Sequence, residues 1–110
     1  MEGINMIEKL TVHEKRGDTN VQVQLIGEID INTSDAFRSK MHTIVEENEC
    51  DIALDFEKLE YIDSTGLGVL VGVLKKAKAK QHNIYVYNLK KTIKKLFLIT
   101  GLDKVFIIKE

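Results

Sequence analysis

From Val21 onward the chain alternates short strand-like runs with helix-length amphipathic stretches, and that order leaves few architectures open. Val21-Gln22-Val23-Gln24-Leu25 has the period-two pattern of a half-buried strand. Gly27-Glu28-Ile29-Asp30 brings that strand to its end. Thr33 or Ser34 caps the helix that follows, where Phe37, Met41, Ile44 and Val45 recur at helical spacing. Residues 51–56 read as a short buried strand, and a loop from Glu57 leads to Asp63 and a glycine-punctuated helix over about residues 64–80. A strand at 83–87 and a helix at 90–100 come next, the helix turning Ile93, Leu96, Phe97 and Thr100 inward, with Gly101 suited to its C′ position. A strand at 105–108 closes the series. Upstream, residues 7–12 form a strand that the turn residues Arg16-Gly17-Asp18-Thr19 fold back onto Val21–Leu25.

The pattern predicts an α/β fold in one domain spanning residues 1–110: a mixed sheet that begins with an antiparallel hairpin and continues in βαβαβαβ crossovers. Sites in such sheets collect beyond the carboxyl ends of the parallel strands. Asp30 and the segment from Asp55 to Ser64 follow two of those strands, so Asp30 and Ser64 are expected on one rim.

Asp63-Ser64-Thr65-Gly66-Leu67-Gly68 places a hydroxyl pair at a helix start, directly behind a carboxylate. Free N–H groups and the positive end of the helix dipole make such a start tolerant of a phosphate. Ser64 therefore reads either as a helix cap or as a residue placed to be modified, with Thr65 as the lesser candidate. Asp30 either faces a partner or braces its loop. Gly68 and Gly72 are read as close-packing positions before partner contacts.

Several chemistries are excluded or disfavoured. Residues 63–68 do not make the G-x-S-x-G elbow of a serine hydrolase. His13, His42 and His82 fall on a strand, a mid-helix position and a turn, giving neither a base for Ser64 nor metal-ligand spacing. No P-loop motif is present. Cys50 is the single cysteine, so no internal disulfide forms. No catalytic residue, metal or cofactor is expected. The start MEGINMIEKL lacks a basic segment followed by an apolar core, and the longest apolar run, residues 69–74, is too short to span a bilayer. The cytoplasm is the expected compartment, with no membrane partner.

Charge is divided unevenly: residues 1–63 sum to −9 and residues 64–110 to +8. Lys75, Lys76, Lys78 and Lys80 close a helix, where cations are favoured, and Lys90, Lys91, Lys94 and Lys95 line a helix face without interleaved aromatics. A solvated face is expected, and direct nucleic-acid binding is not.

GEID at 27–30, LDFEKLEYIDSTGLGVLVGVLKKAK at 54–78 and LFLITGLDKVFII at 96–108 together resemble the STAS domain, nearly end to end. More narrowly, the chain looks like a stand-alone bacterial anti-sigma factor antagonist, marginally nearer the general-stress type than the sporulation type. The resemblance implies partner switching. The unmodified antagonist binds an anti-sigma factor that is also a serine kinase, and so frees a sigma factor. The kinase phosphorylates the serine of the family's DS[ST]G motif, and a PP2C-type phosphatase restores it. Carried over, the acceptor is Ser64, and the partner-binding set is Asp30, Asp63, Ser64, Thr65, Gly66 and Gly68. Val73-Leu74 departs from the arginine or aromatic that many members carry beyond the second helix glycine.

Two other classes fit parts of the pattern. A phospho-aspartate receiver would use Asp55 at a strand end with Asp30 as metal ligand, but it requires a lysine-proline pair in a chain that has no proline. A STAS module serving as scaffold or transport-complex subunit would leave Ser64 idle.

Overall fold

The computed structural model describes residues 2–7 and 9–109. Six strands form one sheet in sequence order: β1 (Glu2–Ile7), β2 (Leu10–Arg16), β3 (Asn20–Ile29), β4 (Asp51–Ile62), β5 (Ile84–Tyr87) and β6 (Ile107–Lys109). β1, β2 and β3 run antiparallel, whereas β3, β4, β5 and β6 are parallel neighbours. Helices α1 (Ser34–Glu47), α2 (Ser64–Ala79) and α3 (Lys91–Thr100) connect the parallel strands, the last through a single 3₁₀ turn at Leu102–Lys104.

Alternation decides the core. Val21, Val23, Leu25, Ile52, Leu54, Ile84 and Val86 are buried together with Phe37, Met41 and Ile44 of α1 and Leu70, Val73 and Ala77 of α2. Phe97 of α3 packs edge-on against Phe56 and Phe106, with ring centroids 5.9 and 5.7 Å away. The opposite positions on the strands, such as Gln22 and Tyr87, stay exposed.

Four expectations are corrected. Thr100, expected to face inward, is exposed at the end of α3, and the last strand is Ile107–Lys109 and not 105–108. The strand expected at 7–12 is split: β1 ends at Ile7 and β2 begins at Leu10, with Lys9 at φ 66° in the turn; Glu8 lies outside the described residues. The segment from Glu57 is not a loop but the second half of β4. Its register on β3 shifts twice, between Gln24 and Ile26 and again between Gly27 and Glu28. Each irregularity adds a residue to β4 and breaks the period of two, so Glu57, Lys58 and Glu60 do not alternate as strand residues should.

The lysines also differ from a plain solvated face. Lys76 pairs with Glu46, Lys80 lies 2.7 Å from Glu49 and donates to the Val45 carbonyl, and Lys78 bonds Asn83. Lys90 donates to the carbonyls of Glu57 and Leu59. These bonds tie α2 to the end of α1 and α3 to the end of β4.

Candidate functional site

Asp30 and Asp63 follow directly after Ile29 and Ile62, which are paired residues of adjacent parallel strands. The Asp63 N–H donates to the Ile29 carbonyl at 3.3 Å, joining the two exits. Asp30 and Ser64 therefore share one rim, as the strand order requires.

Asp63, and not Ser64, is the cap of α2. Its Oδ1 accepts from the N–H groups of Thr65 at 3.0 Å and Gly66 at 3.1 Å, and from the Thr65 hydroxyl. The Thr65 hydroxyl is the main cause of a carboxyl pKa held below its usual value; burial opposes it, and the N–H groups of Gly66 and Thr65 add to the lowering. The helix start is thus already occupied by an anion, which engages the N–H groups of Thr65 and Gly66. A phosphoryl group on Ser64 would point outward.

A folded-state pKa below the unfolded one means that the cap contributes above the unfolded value, near 4, and is lost as pH falls through the folded value. Asp63→Ala should cost about 0.5–2 kcal/mol at pH 7. In chemical denaturation across pH, the gap to wild type should close below about pH 4; a gap independent of pH would contradict this role.

Ser64 occupies the first helical position, exposed, and among the described residues its hydroxyl makes no side-chain hydrogen bond. Thr65 is also exposed, but its hydroxyl is committed to Asp63. Gly66 is buried: a Cβ there would lie 2.7 Å from both Ile29 Cγ2 and Ile62 Cγ1. Its missing side chain lets α2 sit on the strand exits. Gly68 and Gly72 do the opposite of what close packing would need, since a Cβ at either meets nothing within 4 Å. Ser64, Gly68 and Gly72 instead succeed one another at i, i+4 and i+8, a smooth line along the outer side of α2.

Asp30 braces its turn. Oδ1 accepts from the N–H of Asn32 at 2.8 Å and of Thr33 at 3.2 Å, while its carbonyl accepts from Thr33 and Ser34. Thr33 stands at the cap position of α1 without a side-chain cap bond; its hydroxyl accepts from Asp30 N–H and donates to the Glu28 carbonyl. Ser34 is buried as the first helical residue, not a cap. Ile31 and Tyr61, at the same strand exits, are 73% and 48% exposed. Neither breaks the apolar pattern, so the sequence gives no signal for them.

The three histidines lie outside α2. His13 of β2 pairs with Glu2 of the neighbouring β1, and His82 lies beside Glu49 and Asp51, at the far end of β4. His42 is mid-helix in α1, with burial lowering its pKa. Asp55 is inside β4, accepting from Glu57 N–H and the Asn88 amide, which removes the strand-end position a receiver aspartate requires. Among the described residues no group of three His, Cys, Asp or Glu converges to hold a metal, and no helix is long and apolar enough to cross a membrane.

Comparison with known proteins agrees with this geometry. The STAS domain family model matches residues 10–110. The anti-sigma-B factor antagonist of Bacillus subtilis is 33% identical over 96 residues, covering 87% of each chain. An anti-sigma factor antagonist from Mycobacterium paratuberculosis shares the fold at a TM-score of 0.77, with 24% identity over 90% of this chain and 84% of its own. SpoIIAA of Bacillus, solved unphosphorylated and phosphorylated, gives TM-scores of 0.72 and 0.66 at 22% identity, with all of this chain and 89% and 92% of its own covered. Matched from strand β2 to the last strand and built on the same mixed sheet, the chain belongs to the STAS domain family.

Proposed function

We propose that this protein is an anti-sigma factor antagonist switched by phosphorylation of Ser64. Unmodified, it binds an anti-sigma factor with serine-kinase activity and frees the sigma factor. The kinase then phosphorylates Ser64, the complex dissociates, and a PP2C-type phosphatase restores the binding form. The setting is cytoplasmic and of the general-stress type, and residues 1–110 act as one STAS domain.

The observation that carries this reading is the contrast between two adjacent hydroxyls. Among the described residues Ser64 offers an exposed hydroxyl with no side-chain hydrogen bond, while the Thr65 hydroxyl is held by Asp63. A kinase requires an oxygen free to attack the γ-phosphorus of ATP, and Ser64 supplies it without unfolding the helix. The names of the curated relative and of the structural neighbours support the partner class. A phosphorylated SpoIIAA of the same fold supports a sheet and helix frame that survives the modification.

The partner surface we assign is Ser64 with Thr65 and Asp63, extended along Gly68, with Gly66 seating the helix beneath it and Asp30 at the neighbouring exit. The smooth side of α2 lets a partner backbone come close. A phosphate of charge about −1.5 to −2 in the middle of that contact has to be desolvated or keeps the surfaces apart. With Mg-ATP present, wild type should leave the anti-sigma factor kinase on a sizing column, whereas Ser64→Ala should stay bound. Release of Ser64→Ala on the same timescale would defeat the assignment.

A further inference from the structure

Ile31 is bare and yet held still. It is 73% exposed, in a turn fixed by hydrogen bonds on both sides. Asp30 Oδ1 takes the N–H groups of Asn32 and Thr33, the Asp30 carbonyl takes those of Thr33 and Ser34, and the Thr33 hydroxyl links Asp30 N–H to the Glu28 carbonyl. A scattered exposed aliphatic residue is ordinary on a mobile loop. A rigid turn is different, because an apolar side chain whose backbone is already ordered binds without paying that ordering cost again.

We propose that Ile31 is the apolar anchor by which this rim takes its protein partner, with Asp30 as a positioning residue behind it. The proposal rests on the functional reading above and names the chemistry of the partner: an apolar pocket edged by cations. Charge complementarity carries that choice, since Glu28, Asp30, Glu60 and Asp63 stand at the same two strand exits as Ile31. The anchor is continuous with the switch, because Ile29 pairs with Ile62 and accepts from Asp63 N–H. Asp30 holds the Ile31 turn through its Oδ1, which two backbone donors engage.

The test is calorimetric titration of the host's purified anti-sigma factor kinase with wild type, Ile31→Ser, Ile31→Leu, Asp30→Ala and Asp30→Asn, with a melting curve for each. Ile31→Ser should bind roughly 10- to 100-fold more weakly at an unchanged melting temperature. Ile31→Leu should stay within about threefold of wild type. Asp30→Ala should weaken binding about tenfold and speed hydrogen exchange at the Asn32 and Thr33 amides. Asp30→Asn should restore both, because its amide oxygen accepts the same bonds. Wild-type affinity in Ile31→Ser, or a melting temperature that falls along with the affinity, would overturn the inference alone. Absence of binding by wild type itself would overturn the functional reading, and the inference with it.

Discussion

Ser64→Asp should bind the anti-sigma factor kinase at least about 100-fold more weakly than wild type, with a melting temperature shifted by less than about 2 °C. The two halves of that expectation have separate causes. Stability is spared because Ser64 is exposed, makes no side-chain hydrogen bond among the described residues and sits in the first turn of α2, where an acid suits the helix dipole. Binding is lost because an uncompensated buried carboxylate costs about 3–5 kcal/mol. The sign of the rim's own charge matters here. Glu28, Asp30, Glu60 and Asp63 favour a cationic partner, so long-range attraction alone would strengthen with one more negative charge. Close contact along Ser64 and Gly68 has to prevail over it through desolvation and bulk. The melting curve and titration of this variant decide the matter: retained affinity would leave steric and desolvation effects too small to run a switch.

Gly27→Ala should be the most destabilising small substitution in the chain, by roughly 2–5 kcal/mol, enough to lower the melting temperature by about 10 °C or more. Gly27 has φ of 112°, a region that residues with a Cβ rarely enter, and an added Cβ would lie 2.1 Å from the Lys9 carbonyl oxygen. That oxygen cannot give way cheaply, since it accepts the Glu28 N–H at 2.8 Å and belongs to the turn that starts β2. Gly27 also stands where the β3–β4 register shifts. Thermal denaturation of Gly27→Ala within a degree or two of wild type would show that this junction is not the constraint it looks to be.

These positions also show what was legible in the sequence. Helix α1 was readable because Phe37, Met41 and Ile44 define one face without help from the fold, and α2 and the buried half of β4 because their apolar runs are compact. The second half of β4 was not, because two bulges put Glu57, Lys58 and Glu60 out of phase. At the site, the shared rim followed from strand order alone. The cap did not, because Asp63 and Ser64 are both good cap residues and only the backbone shows which one turns its oxygen onto Thr65 and Gly66. Glycines were the least legible. Gly27, Gly66 and Gly68 look alike in sequence, yet one relieves a backbone clash, one seats a helix and one leaves a surface smooth. Ile31 is an ordinary apolar residue until its turn is seen to be rigid.

The measurement that tests the central claim most directly is intact-mass spectrometry of the protein after incubation with the host's anti-sigma factor kinase and Mg-ATP, followed by peptide mapping. A single added phosphate on Ser64, accompanied by loss of the complex on a sizing column, is the expected result. Phosphate on Thr65, or none from a kinase shown to be active, would contradict it; in the latter case the fold would be serving as a scaffold or transport-complex subunit with Ser64 idle.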